Sequence, residues 1–256
     1  MKNLFDLSGK VALITGSSSG MGRAIAEAMG QQGATVIVSS NEADGCAAVV
    51  NEFQQQGITA VALPCDMSKK ESIDALCETA LAQFGRIDIL VSCVGIAPTG
   101  TLLDITAAHF EQTMALNLQS AIYLTKRVVP QMVKRQDGVL IYLASIAGVR
   151  GNKQLGLYSL SKAALIQLAR NVAVEFGPDN IRANTISPGL IDTPFSTSLL
   201  AIPAFMEKRM ALTPLRRVGQ PDEIAGVAVM LASRAGGFIT GQNIIVDGGT
   251  TISDGN

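Results

Sequence analysis

Short apolar runs rich in β-branched residues recur along this chain at 11–15, 35–40, 59–64, 87–93, 138–145, 182–187 and 242–247. Between them lie longer segments whose apolar residues repeat at helical spacing, at 21–32, 44–56, 68–84, 107–135, 157–176 and 221–232. The runs are apolar throughout rather than alternating, which is the pattern of strands covered on both faces. Strands of that kind separated by helices define an α/β chain with a seven-stranded parallel sheet, doubly wound in the Rossmann manner with helices on both faces. No linker or repeat divides the segments, so residues 1–256 read as a single domain, and 48% hydrophobic residues supply its core.

One connection breaks the rhythm. Between the sixth strand and the last helix, residues 190–217 carry Pro194, Pro203 and Pro214 together with Phe195, Leu199, Leu200, Phe205, Met206 and Met210. A connection this long inside a compact fold is expected to serve the site, as a substrate lid.

The first strand runs into Thr15-Gly16-Ser17-Ser18-Ser19-Gly20-Met21-Gly22 and then into a helix. Glycines there let the backbone approach a pyrophosphate, and the helix N-terminus favours its negative charge. The context is the strand-turn-helix of a dinucleotide site, and Asp66, after the third strand, is placed to accept a hydrogen bond from an adenine amine. The same residues also satisfy Gly-x-Ser-x-Gly, the nucleophile elbow of serine hydrolases, with Ser18 as nucleophile. That alternative needs a late histidine preceded by an acid, whereas the chain's one histidine, His109, lies before its middle.

Tyr158 and Lys162 are four apart in Tyr-Ser-Leu-Ser-Lys, so on a helix they share a face, and an ammonium there favours ionisation of the phenol. Tyr123 and Arg127 have the same spacing and read as an ordinary helix surface, so the spacing alone decides nothing. What sets Tyr158 apart is Ser145, at the end of a buried parallel strand, where ligands of such sheets collect.

The bulk properties exclude several classes. A formal net charge of -1 and 16% charged residues advertise no surface for nucleic acid. Asp6 interrupts any signal-like apolar stretch, and no run reaches membrane-spanning length, so the expectation is a cytoplasmic protein with no membrane partner. Cys46, Cys65, Cys77 and Cys93 form no Cys-x-x-Cys pair and read as buried free thiols, and with one histidine no metal site is expected.

These residues resemble the short-chain dehydrogenase/reductase family over nearly the whole chain. The likeness includes the glycine turn, Asp66, Asn117 in Met-Ala-Leu-Asn-Leu, Ser145, Tyr158, Lys162, the turn from Ser187 to Thr193, Arg217-Val-Gly-Gln-Pro-Asp-Glu-Ile-Ala225, and the stretch from Ile239 to Gly249. It implies an NAD(P)(H)-dependent interconversion of a ketone and a secondary alcohol, in which Tyr158 is the acid/base and Ser145 hydrogen-bonds the substrate oxygen. Lys162 holds the nicotinamide ribose and lowers the tyrosine pKa, and Asn117 positions a water in a proton relay. The implied cofactor contacts are Gly16, Ser18, Ser19, Gly20, Met21, Gly22, Ser40, Asn41, Asp66, Met67, Gly95, Pro188, Gly189, Ile191 and Thr193, besides Tyr158 and Lys162. A homo-oligomer, tetramer or dimer, is implied, with the last strand and the tail 250–256 near a subunit contact. One departure stands out: Ser92-Cys93-Val94-Gly95 replaces the family's Asn-Asn-Ala-Gly, which puts in doubt the asparagine contacts that brace the sheet. A third reading keeps the fold as a cofactor-sensing regulator without chemistry, and intact Ser145, Tyr158 and Lys162 argue against it.

At the end of the second strand, Ser40 stands where a carboxylate would select NAD, followed by Asn41 and Glu42. The missing aspartate tips the expectation to NADP(H) over NAD(H). Ile146, Gly148, Val149, Gln154, Leu155, Ile96 and Pro98, with the 190–217 segment, are expected to form the substrate pocket. Their apolar character favours a neutral, moderately hydrophobic ketone or secondary alcohol, while Arg150 and Lys153 leave an acidic or carrier-linked substrate open.

Overall fold

A computed structural model describes residues 3–253 of the chain. Seven strands, β1 (Val11–Thr15), β2 (Thr35–Ser39), β3 (Ala60–Ala62), β4 (Ile89–Ser92), β5 (Gly138–Leu143), β6 (Ile181–Pro188) and β7 (Asn243–Val246), form one sheet. All neighbours are parallel and the order is β3-β2-β1-β4-β5-β6-β7. The order reverses between β1 and β4, and at that switch point the loops leaving the two strands diverge and open a crevice.

The helices are α1 (Gly20–Gln31), α2 (Ala43–Gln55), α3 (Lys70–Phe84), α4 (Ala107–Met114), α5 (Ser120–Arg135), α6 (Gly156–Phe176), α7 (Thr197–Leu200), α8 (Pro203–Ala211) and α9 (Pro221–Ala232). Alternate residues of each strand point to opposite faces, and two cores result. Ala12, Ile14, Val36, Val38, Val91 and Ile141 meet Ile25 and Met29 of α1, Phe53 of α2 and Ile224 and Ala228 of α9. Leu13, Ile37, Leu90, Leu140 and Tyr142 meet Ile73 and Cys77 of α3, Leu124 and Met132 of α5 and Leu165 and Ala169 of α6. Each fully buried aliphatic side chain contributes about 1.5–3 kcal/mol, so the sheet is held from both sides.

The segment expected as one helix at 107–135 is two helices joined by a π-helical turn, Ala115–Gln119. The Ser120 N–H reaches back five residues to the Ala115 carbonyl, and the Ser120 hydroxyl donates to the Leu116 carbonyl at 2.6 Å. A wider turn rotates Asn117 relative to the flanking helices, and such turns are frequent at functional sites. The connection 190–217 carries α7 and α8. No helix among the described residues is long and apolar enough to cross a membrane. Of the tail at 250–256, residues 254–256 lie outside the described residues.

Candidate active site

The crevice at the carboxyl ends of the strands is a cleft of ≈ 590 Å³, within the range of small-molecule sites. Gly16, Ser18, Ser19, Gly20, Met21, Gly22, Ser40, Asn41, Asp66, Met67, Gly95, Tyr158, Lys162 and Thr193 all line it. Asn117, Ser145, Pro188, Gly189 and Ile191 are not among its lining residues.

Backbone sterics fix the glycine turn. Gly16 and Gly20 have φ of 67° and 53°, which favour glycine, and a Cβ on Gly22 would stand 2.2 Å from the Gly16 carbonyl oxygen. The start of α1 is thereby pressed against the end of β1. Ser19 is the N-cap but makes no side-chain cap bond, and no acidic residue sits in the first turn. Amides without a side-chain cap, at the positive end of a helix dipole and facing a cleft, form an anion site. Ser17 is instead structural: its hydroxyl donates to the Ile14 carbonyl at 2.7 Å and accepts from the Ser39 N–H at 2.9 Å.

At the end of β2, the Ser18 hydroxyl donates to Ser40 Oγ at 3.0 Å and lies 3.3 Å from Glu42 Oε2. Ser18 therefore faces a serine and a carboxylate rather than a histidine, and His109 is exposed near the start of α4. The elbow geometry of a hydrolase is missing. Asp66 accepts from the Ser68 N–H at 3.0 Å and its hydroxyl at 2.6 Å, which, with Lys69, holds the carboxyl below the usual range.

The chemical end of the cleft is built by α6 and the ends of β4 and β5. Tyr158 and Lys162 are buried at 8% and 4% exposure on one face of α6. Lys162 Nζ donates to the Leu143 carbonyl at the end of β5, at 2.7 Å, and stands 5.6 Å from the centroid of the Tyr158 ring. Burial pushes its ammonium down to about 8. Burial also raises the Tyr158 phenol above 10, against a lowering hydrogen bond with Ser145. The lowering expected from Lys162 is not seen: desolvation dominates the phenol, and the lowering influence on it is the Ser145 hydrogen bond.

Asn117 is locked. Its Nδ2 donates to the Ile96 carbonyl and to Ser161 Oγ, both at 2.9 Å, and its Oδ1 accepts from the Ile96 N–H at 2.8 Å. Gly95 is the reason these groups fit, because a Cβ there would meet Asn117 Oδ1 at 3.1 Å and Lys162 Nζ at 3.3 Å. Where the family's asparagines are replaced, Thr15 braces the sheet: its Oγ1 accepts from the Cys93 N–H at 3.1 Å and donates to the Val91 carbonyl at 3.4 Å.

On the far wall Thr193 packs within 3.4 Å of where a Cβ of Gly20 would be. Gly189 lets β6 approach β7, since a Cβ would lie 2.8 Å from Asp247 Cα, and Ile191 turns into the core beside α9. Cavity-lining residues that the motifs did not single out as contacts include Glu42, Cys93, Leu116, Pro194 and Phe195, the last with its ring 6.4 Å from that of Tyr158. Leu116 directly precedes Asn117 and Phe195 lies two residues after Thr193, which is the signal that points to them.

A family model described as enoyl-(acyl carrier protein) reductase matches residues 16–251. Dehydrogenase/reductase SDR family member 4 of Oryctolagus cuniculus is 38% identical over 244 residues, 95% of this chain and 94% of that protein. The 7alpha-hydroxysteroid dehydrogenase of Escherichia coli (strain K12) is 38% identical over 243 residues, again covering 95% and 94%. Among solved structures, a 7α-hydroxysteroid dehydrogenase complexed with NADH and 7-oxo glycochenodeoxycholic acid matches at a TM-score of 0.93 and 38% identity, covering 97% of this chain and 98% of that one. A gluconate 5-dehydrogenase from Burkholderia cenocepacia J2315 in complex with NADP and tartrate matches at 0.94 and 29% identity, covering 98% of each.

The chain belongs to the short-chain dehydrogenase/reductase family, and it is an NAD(P)-dependent oxidoreductase acting on CH–OH and carbonyl groups. The hydrolase and sensor alternatives draw no support. The turn at Gly16–Gly22, with its uncapped helix N-terminus and missing Cβ atoms, fits a dinucleotide pyrophosphate.

Lys162 gives this site a measurable signature. In the free protein, nitrogen NMR of its Nζ should show titration near pH 8, charged below and neutral above, against about 10.4 for a lysine side chain free in water. A Lys162 midpoint at the free-lysine value contradicts the burial argument.

Proposed function

We propose that Tyr158 transfers the proton and Ser145 orients the substrate oxygen in the interconversion of a moderately hydrophobic ketone and its secondary alcohol. The observation that carries this is the convergence of one buried phenol, its Ser145 partner and a buried lysine on a cleft that begins at a dinucleotide turn. The cofactor, when bound, supplies or accepts the hydride at the carbonyl carbon. The residues of this chain do the rest.

In the reductive direction the Tyr158 hydroxyl gives its proton to the forming alkoxide, and a phenol raised by burial is fully protonated for that step at neutral pH. In the oxidative direction it must accept the alcohol proton as phenolate, which the Lys162 charge favours and burial opposes. Lys162, seated on the Leu143 carbonyl, would hold the nicotinamide ribose. Asn117 is a positioning residue: through Ile96 it fixes the loop after β4 that walls the cleft. Thr193 would border the carboxamide, on the turn that Gly189 and Ile191 shape, and Asp66 and Met67 would border the adenine. Residues 190–217, with α7 and α8, close over the substrate as a lid, bringing Phe195 against Tyr158. Val94, Ile96, Leu116 and Phe195 make the wall beside Tyr158 apolar, which suits a hydrophobic body on the substrate.

For the dinucleotide, the geometry shifts the sequence expectation from NADP(H) toward NAD(H). Glu42 is folded back onto Ser18 beside Ser40, so a carboxylate occupies the corner where a ribose 2′ substituent lies. Arg23, the nearest candidate cation, is engaged with Glu52 at 2.5 Å, and Lys162 at the opposite end is the only Lys or Arg lining the cleft among the described residues. A hydroxyl donates to Glu42, whereas a phosphate dianion is repelled by it.

We also infer a cytoplasmic homo-oligomer. Four free cysteines suit a reducing compartment, and Phe238, Val174 and Ile245 expose apolar surface around the edge strand β7, which suits contact with a second copy.

Two experiments test this reading. Tyr158→Phe should lower kcat on a carbonyl panel by at least about 100-fold while dinucleotide affinity, read by fluorescence titration, stays within about threefold; turnover that survives the change contradicts the assignment. The ratio of kcat/KM with NADH to that with NADPH should exceed about ten, and Glu42→Arg should bring it below one. A wild-type preference for NADPH overturns the role given to Glu42.

A further inference from the structure

The Asn117 amide is tied to α6 through Ser161, a fully buried serine that does not line the cleft. Ser161 sits three residues after Tyr158 and directly before Lys162. Its Oγ accepts from Asn117 Nδ2 at 2.9 Å and donates to the Tyr158 carbonyl at 2.7 Å. A hydroxyl accepts and donates at once, whereas an alanine side chain does neither and a thiol does each weakly.

The bonds form one string across the reacting end of the cleft. Ile96, on the wall, exchanges two backbone bonds with the Asn117 side chain, Asn117 donates to Ser161, and Ser161 closes on the backbone of the residue that carries the phenol. The amide has one orientation, because turning it over would set Oδ1 against the Ile96 carbonyl and Nδ2 against the Ile96 N–H. At the same level of α6, the turn that begins at Ser145 lies against the helix backbone: a Cβ on Gly148 would stand 2.8 Å from both the Ala163 nitrogen and the Lys162 carbonyl carbon. The contact with the Ser145 turn is steric, while the contact with the Asn117 turn runs through the Ser161 oxygen.

We propose that Ser161 is a positioning residue for the reaction: its hydroxyl holds the Asn117 turn and the Ile96 wall at a fixed separation from the Tyr158 backbone, and so sets the width of the reacting end of the cleft. The inference rests on the reading of Tyr158 as the proton-transfer group, and it adds a residue that acts only through Asn117 and the α6 backbone. Without the hydroxyl, an Asn117 N–H is left with no acceptor in a place closed to water, and the amide must move to find one. Ile96 moves with it, since both of its backbone polar groups are bonded to that amide. The glycine turn at the pyrophosphate end takes no part in the string, so dinucleotide affinity is spared.

Kinetics and amide exchange together test this. Ser161→Ala should lower kcat on the carbonyl that the wild type reduces fastest by at least about fivefold, as expected for one unmade buried hydrogen bond, while the Kd for NADH stays within about twofold. Ser159→Ala, on the same helix, removes a buried hydroxyl oxygen that has no hydrogen-bond partner, and should leave kcat within about twofold. By NMR, both side-chain amide protons of Asn117 in the wild type should exchange at least about tenfold more slowly than those of the exposed Asn152, and Ser161→Ala should speed one of them while the backbone amides of β5 keep their protection. If Ser161→Ala does not fold, Ser161→Cys, with its weaker acceptor, takes its place and the same readings decide. An unchanged kcat, or Asn117 protons indifferent to the substitution, overturns the proposal. Failure of the reductase reading has a different signature: the wild type turns over no carbonyl, yet the Asn117 protons respond as stated, so the clamp stands and only its reaction is reassigned.

Discussion

The bond from Lys162 Nζ to the Leu143 carbonyl ties the longest helix of the fold, α6, to the end of β5, and the geometry of the site follows from that tie. An ammonium buried this deeply needs a strong acceptor, and a strand-end carbonyl with no further ladder partner supplies one. With Lys162 fixed, the phenol one helical turn earlier is fixed as well. Gly95 must then lack a side chain, because the space a Cβ would take belongs to Lys162 and Asn117. One polar contact thus sets α6, the loop after β4 and the π-turn against one another.

The same burial explains why proximity of a cation does not by itself make an acidic phenol. Desolvation raises Tyr158 and lowers Lys162, and the two effects have the same origin, since each charged form loses water. For reduction this is an advantage, because the phenol is a proton donor. It also accounts for the apolar wall: Phe195 and Leu116 exclude water from the group whose protonation the chemistry uses.

Much of this was legible in the sequence because the strongest signals were local. The run at 11–15 is β1 to the residue, and α9 begins at Pro221, where Gln220 and Glu223 form a capping box and proline takes the first helical position. The glycine turn and the Tyr158–Lys162 face follow from backbone freedom and helical period alone. The π-turn was not legible at 107–135, because one residue added to one turn hardly disturbs an apolar period read over almost thirty. The extent of β3 shrank from the apolar run at 59–64 to Ala60–Ala62, since an edge strand pairs on one side only. The position of Glu42 was visible and its direction was not: the Glu42 N–H donates to Ser40 Oγ at 3.2 Å, and that turn carries the carboxylate back onto Ser18.

The central claim is that a dinucleotide and the Tyr158 phenol meet at the seat of Lys162. A crystal structure with NADH and an inert carbonyl analogue measures this directly. The account requires Lys162 Nζ to hydrogen-bond the nicotinamide ribose while Tyr158 Oη and Ser145 Oγ both reach the analogue's oxygen. A dinucleotide bound with its nicotinamide outside the cleft, or an analogue oxygen out of hydrogen-bond reach of Tyr158, contradicts it.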